Sequence, residues 1–335
     1  MPKRFLGAAA CTVALAMSLA GCSSSGTSEG GTKSVKDVKV VKDVKIGFAQ
    51  QTLLAPYYVA MEKEAKKLSQ DKGFQLIFQQ GNGDPVTQVN QVQTMVSQGA
   101  DVIIINAISA AAEKSQIQAI AKKTPVMFID TPIPEVGFTT VQSDNVTIGK
   151  AAGKLMAERV GAGKSIKLAM LSGRPTDVDV GPQRRQGYLE GLKEGGVNYT
   201  IVAEQAANYT QETAVTASED MLAAHPDINV IFGYNDSMAL GALQTLRSKK
   251  NTSVLVSGID GQKEALAEID KGCSSQYVST GLNSPVLAAD DAINAALQVA
   301  TGKKATGDFP KVSFTKAIGV GCDNVKEIYD PNSVF

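Results

Sequence analysis

Val102-Ile103-Ile104-Ile105 runs into Asn106, and Val126-Met127-Phe128-Ile129 runs into Asp130. Further along, the pattern returns: Val230-Ile231-Phe232-Gly233-Tyr234 leads into Asn235-Asp236, and Val254-Leu255-Val256-Ser257-Gly258-Ile259 leads into Asp260. Short β-branched runs without polar alternation read as strands buried on both faces, the habit of parallel sheets covered by helices. In open sheets of that kind, ligands sit just beyond the carboxyl ends of the strands. Two such pairs predict two similar α/β lobes whose polar tips close on one ligand. The pattern describes a binding site with little catalytic equipment.

Outward from these runs, strands and helices alternate. The first set comprises strands over 45–49, 74–78, 102–105 and 126–129, with helices over 55–72, 85–97 and 111–122. Pro56 suits a first helical turn. Around Ser143-Asp144-Asn145 the rhythm pauses and restarts with helices over 148–160, 183–194, 211–224, 237–248 and 263–271. These enclose strands over 166–171, 200–203, 230–232 and 254–257. Such alternation specifies right-handed crossovers and parallel sheets. A strand over 276–279 and a helix over 286–300 come after the second set is full, so they are expected to return to the first lobe. The expected fold is therefore two Rossmann-like, doubly wound lobes, 45–143 plus 281–309 and 144–280 plus 310–335. Crossings near 143, 280 and 309 would form the hinge.

The 335 residues carry 33 lysines plus arginines against 33 aspartates plus glutamates. A net charge of zero leaves no basic field for nucleic acid. The amino terminus reads as an address: Lys3 and Arg4, an apolar stretch over 5–20, then Leu19-Ala20-Gly21-Cys22. This looks like a bacterial lipoprotein signal that would leave Cys22 as the lipid-bearing first residue. An ordinary signal peptide, or a short membrane anchor with an incidental cysteine, is the alternative. A Ser/Gly/Thr segment over 23–32 and the repeat Val35-Lys36-Asp37-Val38-Lys39, Val41-Lys42-Asp43-Val44-Lys45 follow, so 23–44 is expected to be a flexible tether. Of four cysteines, Cys11 leaves with the signal and Cys22 is modified. Cys273 and Cys322 remain, and oxidising surroundings favour a disulfide, the alternative being two buried thiols.

Enzyme signatures fail on inspection. His225 is the only histidine, and its place before Pro226 at a helix end suits a cap or the surface. No metal site is expected. Gly161-Ala162-Gly163-Lys164-Ser165 superficially suggests a phosphate loop, but Glu158 stands where the earlier glycine is required and the segment precedes a strand. Ser172-Gly173 has no histidine to serve it as a nucleophile.

From about residue 45 to 314 the chain resembles the periplasmic sugar-binding proteins of the ribose-binding type, the substrate receptors of ABC importers with the type I periplasmic-binding-protein fold. The resemblance rests on Pro56-Tyr57-Tyr58, Ile105-Asn106, Pro125-Val126-Met127-Phe128-Ile129-Asp130, Ser143-Asp144-Asn145 and Ala224-His225-Pro226-Asp227. Most specific is Asn235-Asp236-Ser237-Met238-Ala239-Leu240-Gly241-Ala242. It implies that Tyr57 and Tyr58 set rings against a sugar and that Asn106 and Asp130 hydrogen-bond it from the first lobe. Arg184, Tyr209, Asn235 and Asp260 would do so from the second. The chemistry suits those roles: a carboxylate accepts from vicinal hydroxyls, a carboxamide donates and accepts, and arginine donates from a planar fork. Aromatic faces cover the apolar side of a sugar ring.

The chain departs from the ribose binder at Ala55, Thr131, Ile259 and Thr280, where that family has asparagine, arginine, an aromatic and glutamine. Such losses argue against ribose itself. Gln51, Arg174 and Thr280 form a second group of candidates, with Thr52 and Asp177 as further substitutes. Each assignment has a plainer rival. Asp130, Asp260 and Asn235 could cap the structure that follows, the tyrosines could be core, and Arg184 and Arg174 could be exposed.

The expected protein is an extracytoplasmic, lipid-anchored receptor of an ABC importer. It is a monomer without cofactor that closes on a neutral monosaccharide or polyol and delivers it to permease subunits. The rival is a signalling receptor of the same fold for a sugar-like autoinducer, feeding a sensor partner.

Overall fold

The computed structural model of the protein describes residues 39–175, 177 and 179–335. The signal, Cys22 and most of the expected tether lie outside them. Two six-stranded sheets carry the architecture.

In the first sheet β1 (Lys45–Gln50), β2 (Gln75–Gln80), β3 (Val102–Ile105), β4 (Val126–Ile129), β5 (Thr140–Gln142) and β11 (Val312–Phe314) take the order β11-β5-β4-β3-β1-β2, with every pair parallel. The second contains β6 (Ser165–Ser172), β7 (Asn198–Ala206), β8 (Val230–Gly233), β9 (Leu255–Asp260), β10 (Tyr277–Leu282) and β12 (Gly319–Val320) in the order β12-β10-β9-β8-β6-β7. Only β12 runs antiparallel, against β10.

Every residue of β3, β4 and β8 is buried. Alternate side chains therefore feed two cores: Ile46, Phe48, Val102 and Ile104 pack on one face of the first sheet, Ala49, Ile103 and Ile105 on the other. Full burial of an aliphatic side chain stabilises by about 1.5–3 kcal/mol, which holds these strands central.

Helices begin where short polar residues occupy the first orphan amides. Asp84 caps α2 (Pro85–Ser97), Asp144 caps α4 (Asn145–Val160) and Ser284 caps α9 (Pro285–Ala300). Asp144 starts α4 three residues before the expected 148, because its carboxylate accepts from the Thr147 amide at 3.0 Å. α4 and α5 (Val180–Glu194) approach backbone to backbone. A Cβ at Gly149 or Gly153 would strike the backbone of Arg184 or Tyr188, and one at Gly187 would strike that of Val146. This small-residue seam fixes where α5 carries Arg184.

Two expectations need correction. Residues 310–335 do not all join the second sheet, since Val312–Phe314 extends the first by parallel pairing with β5. The strand Thr140–Gln142 was hidden by its shortness, so its partner had no visible place. The tether does not extend to 44: Val41–Asp43 forms a 3₁₀ turn, Val44 is fully buried and Val41 packs on the first core. The chain passes between the sheets after β5, after β10 and after β11. Two of these crossings are tied together where the buried Ser143 and Thr315 hydroxyls meet at 3.1 Å.

Among the described residues no helix is long and apolar enough to cross a membrane. Cys273 and Cys322 form a disulfide across a sequence separation of 49 residues, fastening the segment that carries β12 to the second sheet. Closing a loop of that length is worth about 4 kcal/mol in the chain-entropy model. Cys273→Ser with Cys322→Ser is expected to lower the melting temperature by several degrees in scanning calorimetry; an unchanged melting temperature would show that the bond contributes nothing.

Candidate functional site

The two predicted carboxylates occupy equivalent places. Asp130 follows β4 and Asp260 ends β9, and both adopt positive φ, +62° and +126°. A non-glycine residue pays for such backbone geometry, which clusters where structure serves function. Neither caps a helix. The carboxylate of Asp130 accepts from Asn106 Nδ2 and from the Thr131 hydroxyl, both at 3.3 Å. Asp260 accepts from Arg184 Nη2 at 2.9 Å and from Asn283 Nδ2 at 3.2 Å.

Arg184 is a buried cation, 5% exposed, held on every side of its fork. Nε donates to Asn145 Oδ1 at 2.9 Å, Nη1 to the Tyr234 carbonyl at 2.8 Å, and Nη2 to Asp260. Asn145 opens α4, so the glycine seam between α4 and α5 sets the reach of this arginine. Five N–H donors with three engaged leave two for another acceptor.

The rings are tethered through their hydroxyls. Tyr57 donates to Asn283 Oδ1 at 3.3 Å and stands edge-on to Tyr58, with centroids 5.4 Å apart. The Tyr58 hydroxyl accepts from Gln51 Nε2 at 2.7 Å. Tyr209, at φ +64°, hydrogen-bonds Asp177 through its hydroxyl, and the missing side chain of Gly173 leaves room for its ring.

The electrostatics show that the groups face one another. Burial raises the pKa of Asp130 and of Asp260, and Arg184 opposes the rise at both. Asp130 and Asp260 also join burial in raising Tyr57 and Tyr58. The charge of Arg174, an exposed residue of the second half, works against the rise at Tyr58. Burial works against the charge of Arg184, yet Asp260 leads the contacts that keep its pKa raised. Tyr57, Tyr58, Asp130, Arg184 and Asp260 thus form one electrostatic unit, with Asn106, Gln51 and Tyr209 beside it.

Two predicted residues do different work. Asn235 is the cap of α7 (Asp236–Ser248): its Oδ1 accepts from the Met238 amide at 2.9 Å and its Nδ2 donates to the Tyr209 carbonyl at 3.3 Å. One Nδ2 proton remains. Thr280 is fully buried, and its hydroxyl donates to Asp236 at 2.8 Å, behind the strand ends. It braces the second sheet.

Three further residues belong beside the site. Asn283 links Tyr57 to Asp260; it follows β10 just as Asn106 follows β3, a signal obscured by ending that strand at 279. Gln50 is completely buried at the end of β1, one register step beyond the Ala49–Ile105 pair, and neither Oε1 nor Nε2 meets a partner among the described residues. Asn106 Oδ1 nearby is likewise unpartnered. The Phe335 ring stands edge-on to Tyr57 at 5.4 Å, while Lys263 Nζ holds the Ser333 carbonyl at 2.7 Å. No motif announces that contact.

A family defined by a periplasmic binding protein domain matches residues 46–304. The ribose import binding protein RbsB of Bacillus subtilis is 32% identical over 265 residues, covering 78% of this chain and 84% of that protein. A solved ABC transporter solute binding protein from Mycobacterium smegmatis with bound glycerol has a TM-score of 0.74 at 32% identity, covering 87% of this chain and 98% of that one. A periplasmic solute binding protein from Actinobacillus succinogenes with bound D-allose has a TM-score of 0.74 at 28% identity, covering 85% of this chain and all of that one. With two halves built on mostly parallel sheets, a polar cluster at their strand ends and solute-binding proteins as relatives, the chain belongs to the periplasmic binding protein family, among the solute-binding proteins of sugar ABC importers.

Proposed function

We propose that the chain captures a neutral monosaccharide or polyol outside the cytoplasm and delivers it to the permease subunits of an importer, held to the membrane by a lipid on Cys22. The observation that carries this reading is the Arg184–Asp260 pair at the strand ends of the second half, which shares its electrostatic field with Asp130, Tyr57 and Tyr58 of the first. Ionised carboxylates and a guanidinium in that arrangement accept from and donate to vicinal hydroxyls, while the rings cover carbon-bound hydrogens. A ligand that touches both halves makes all its contacts only when they are closed, so it shifts the population toward closure. The relatives' sugars and glycerol support the substrate class. The departures at Ala55, Thr131 and Thr280 weigh against ribose as the best ligand.

A thermal-shift screen of pentoses, hexoses, methylpentoses, tetritols, glycerol and inositols identifies the ligand; a chain stabilised by none of them would refute the reading. With that ligand, Asp130→Ala and Asp260→Ala are each expected to weaken binding roughly 10- to 100-fold, the worth of one or two hydrogen bonds to a charged group at about 1.5–3 kcal/mol. Calorimetry that finds both affinities unchanged would remove these residues from the site.

Acid should act in opposite senses on binding and on the ligand-free fold. Burial raises both aspartates, so they protonate, and lose acceptor capacity, at a higher pH than an ordinary carboxylate. Affinity is expected to fall on acidification. At these two groups the ligand-free fold binds more protons than the unfolded chain over the same window, so the stability they contribute falls as pH rises through the raised values. Asp236, pushed by burial up to about 7, extends that window toward neutrality. Melting temperatures and affinities measured in parallel from pH 4 to about 8 check both signs.

Gln50→Leu separates site from fold. Removing an unpartnered buried carboxamide is expected to raise the ligand-free melting temperature, because a buried polar group without a partner costs about 1–3 kcal/mol. A lower melting temperature would mean that the carboxamide supports the fold.

A further inference from the structure

Asp236 is a buried carboxylate that the proposed site does not use. It opens α7 directly after Asn235, is 0% exposed, and forms no ion pair among the described residues. Four donors converge on it instead. Oδ2 accepts from the Gly261 amide at 2.7 Å and the Gln262 amide at 2.8 Å, while Oδ1 accepts from the Tyr277 hydroxyl at 2.7 Å and the Thr280 hydroxyl at 2.8 Å. Gly258 makes the space, since a Cβ there would strike both the carboxylate and the Tyr277 hydroxyl. A carboxamide at this position would offer a single acceptor oxygen to the set, whereas a carboxylate offers two.

Those two amides belong to the turn that directly follows Asp260. Gly261 is itself at φ +82°, so two consecutive left-handed residues, Asp260 and Gly261, lead into the cap of α8 (Lys263–Ile269). Unrestrained, an aspartate does not rest at φ +126°. We propose that Asp236 is a positioning residue for ligand capture: by gripping the Gly261 and Gln262 amides it holds the Asp260 turn in the conformation that presents that carboxylate to Arg184, Asn283 and the ligand. The inference rests on reading the strand-end cluster as the sugar site, and it assigns Asp236 no contact with the sugar.

The test uses the full chain, with glycerol, D-ribose, D-allose and myo-inositol as titrated probes. For any probe that binds the wild type, Asp236→Ala is expected to weaken binding about 30-fold or more, and Asp236→Asn, which retains one acceptor for the amides, less than about 10-fold. In an Asp260→Ala background either change should cost under about 3-fold, because Asp236 acts through Asp260. Equal losses in both backgrounds, or full affinity in Asp236→Ala, overturn the proposal. If Asp236→Ala fails to fold, the asparagine variant and its cycle decide by the same comparison. Ligand-free amide exchange separates this claim from the sugar reading. Gly261 and Gln262 should exchange at least about tenfold faster in the variant that folds, with β8 amides unchanged. Unaltered exchange at these two amides overturns the positioning role even if a sugar binds. If no probe binds the wild type, the sugar reading fails and the exchange result alone decides whether Asp236 holds the turn.

Discussion

Strands buried on both faces carry few polar side chains along their length, and those, such as Ser257 and Thr280, are hydrogen-bonded inside, so most of the polar groups they offer stand at their carboxyl ends. In this chain β3, β4, β8 and β9 deliver Asn106, Asp130, Asn235 and Asp260 to that edge, and β1 and β10 add Gln50 and Asn283. The apolar runs that make the cores are thus also what concentrates the chemistry. A sheet with alternating polarity would have spread the same residues over a solvated face. Here they meet in a partly dry space where each hydrogen bond is strengthened and each missing one is costly.

That space is electrostatically unbalanced. Asp130 and Asp260, with Asp236 behind them, stand against one buried cation among the described residues, Arg184, and only Asp260 pairs with it directly. Burial raises all three carboxylates. Removing one partner from a buried pair leaves the other uncompensated, which makes Arg184 and Asp260 interdependent. Asp130 relies instead on neutral donors, Asn106 and Thr131. The threonine stands where the ribose-binding pattern has an arginine, so a charge partner has been replaced by a hydroxyl. The charge around Asp130 therefore differs from that of a pattern with two guanidinium groups.

Much of this was legible because it was encoded locally. The four apolar runs identified the central strands, and the residues that end them identified both carboxylates and Asn106. What local reading missed depends on neighbours distant in sequence. Thr140–Gln142 and Val312–Phe314 are three residues each, too short for periodicity, and become strands only by pairing with one another. Asn235 presents the same strand-end signal as Asp260, yet the helix that starts at once behind it claims its oxygen as a cap. Thr280 was aligned with a ligand residue, but the neighbouring carboxylate of Asp236 takes its hydroxyl. Nothing in the sequence around Gln50 marks it as buried; only the packing of the first sheet encloses it.

The contacts at the crossings decide how such a site can open. Tyr57 rides on the first half, yet its hydroxyl reaches Asn283 at the passage from β10 to α9, and Asn283 in turn holds Asp260. A second tie, Ser143 to Thr315, joins the other two passages. Asn283 thus ties a passage between the two sheets to the carboxylate that ends β9. Under the proposed function, a ligand that completes hydrogen bonds from both halves would bias closure, and occupancy and closure would be one equilibrium.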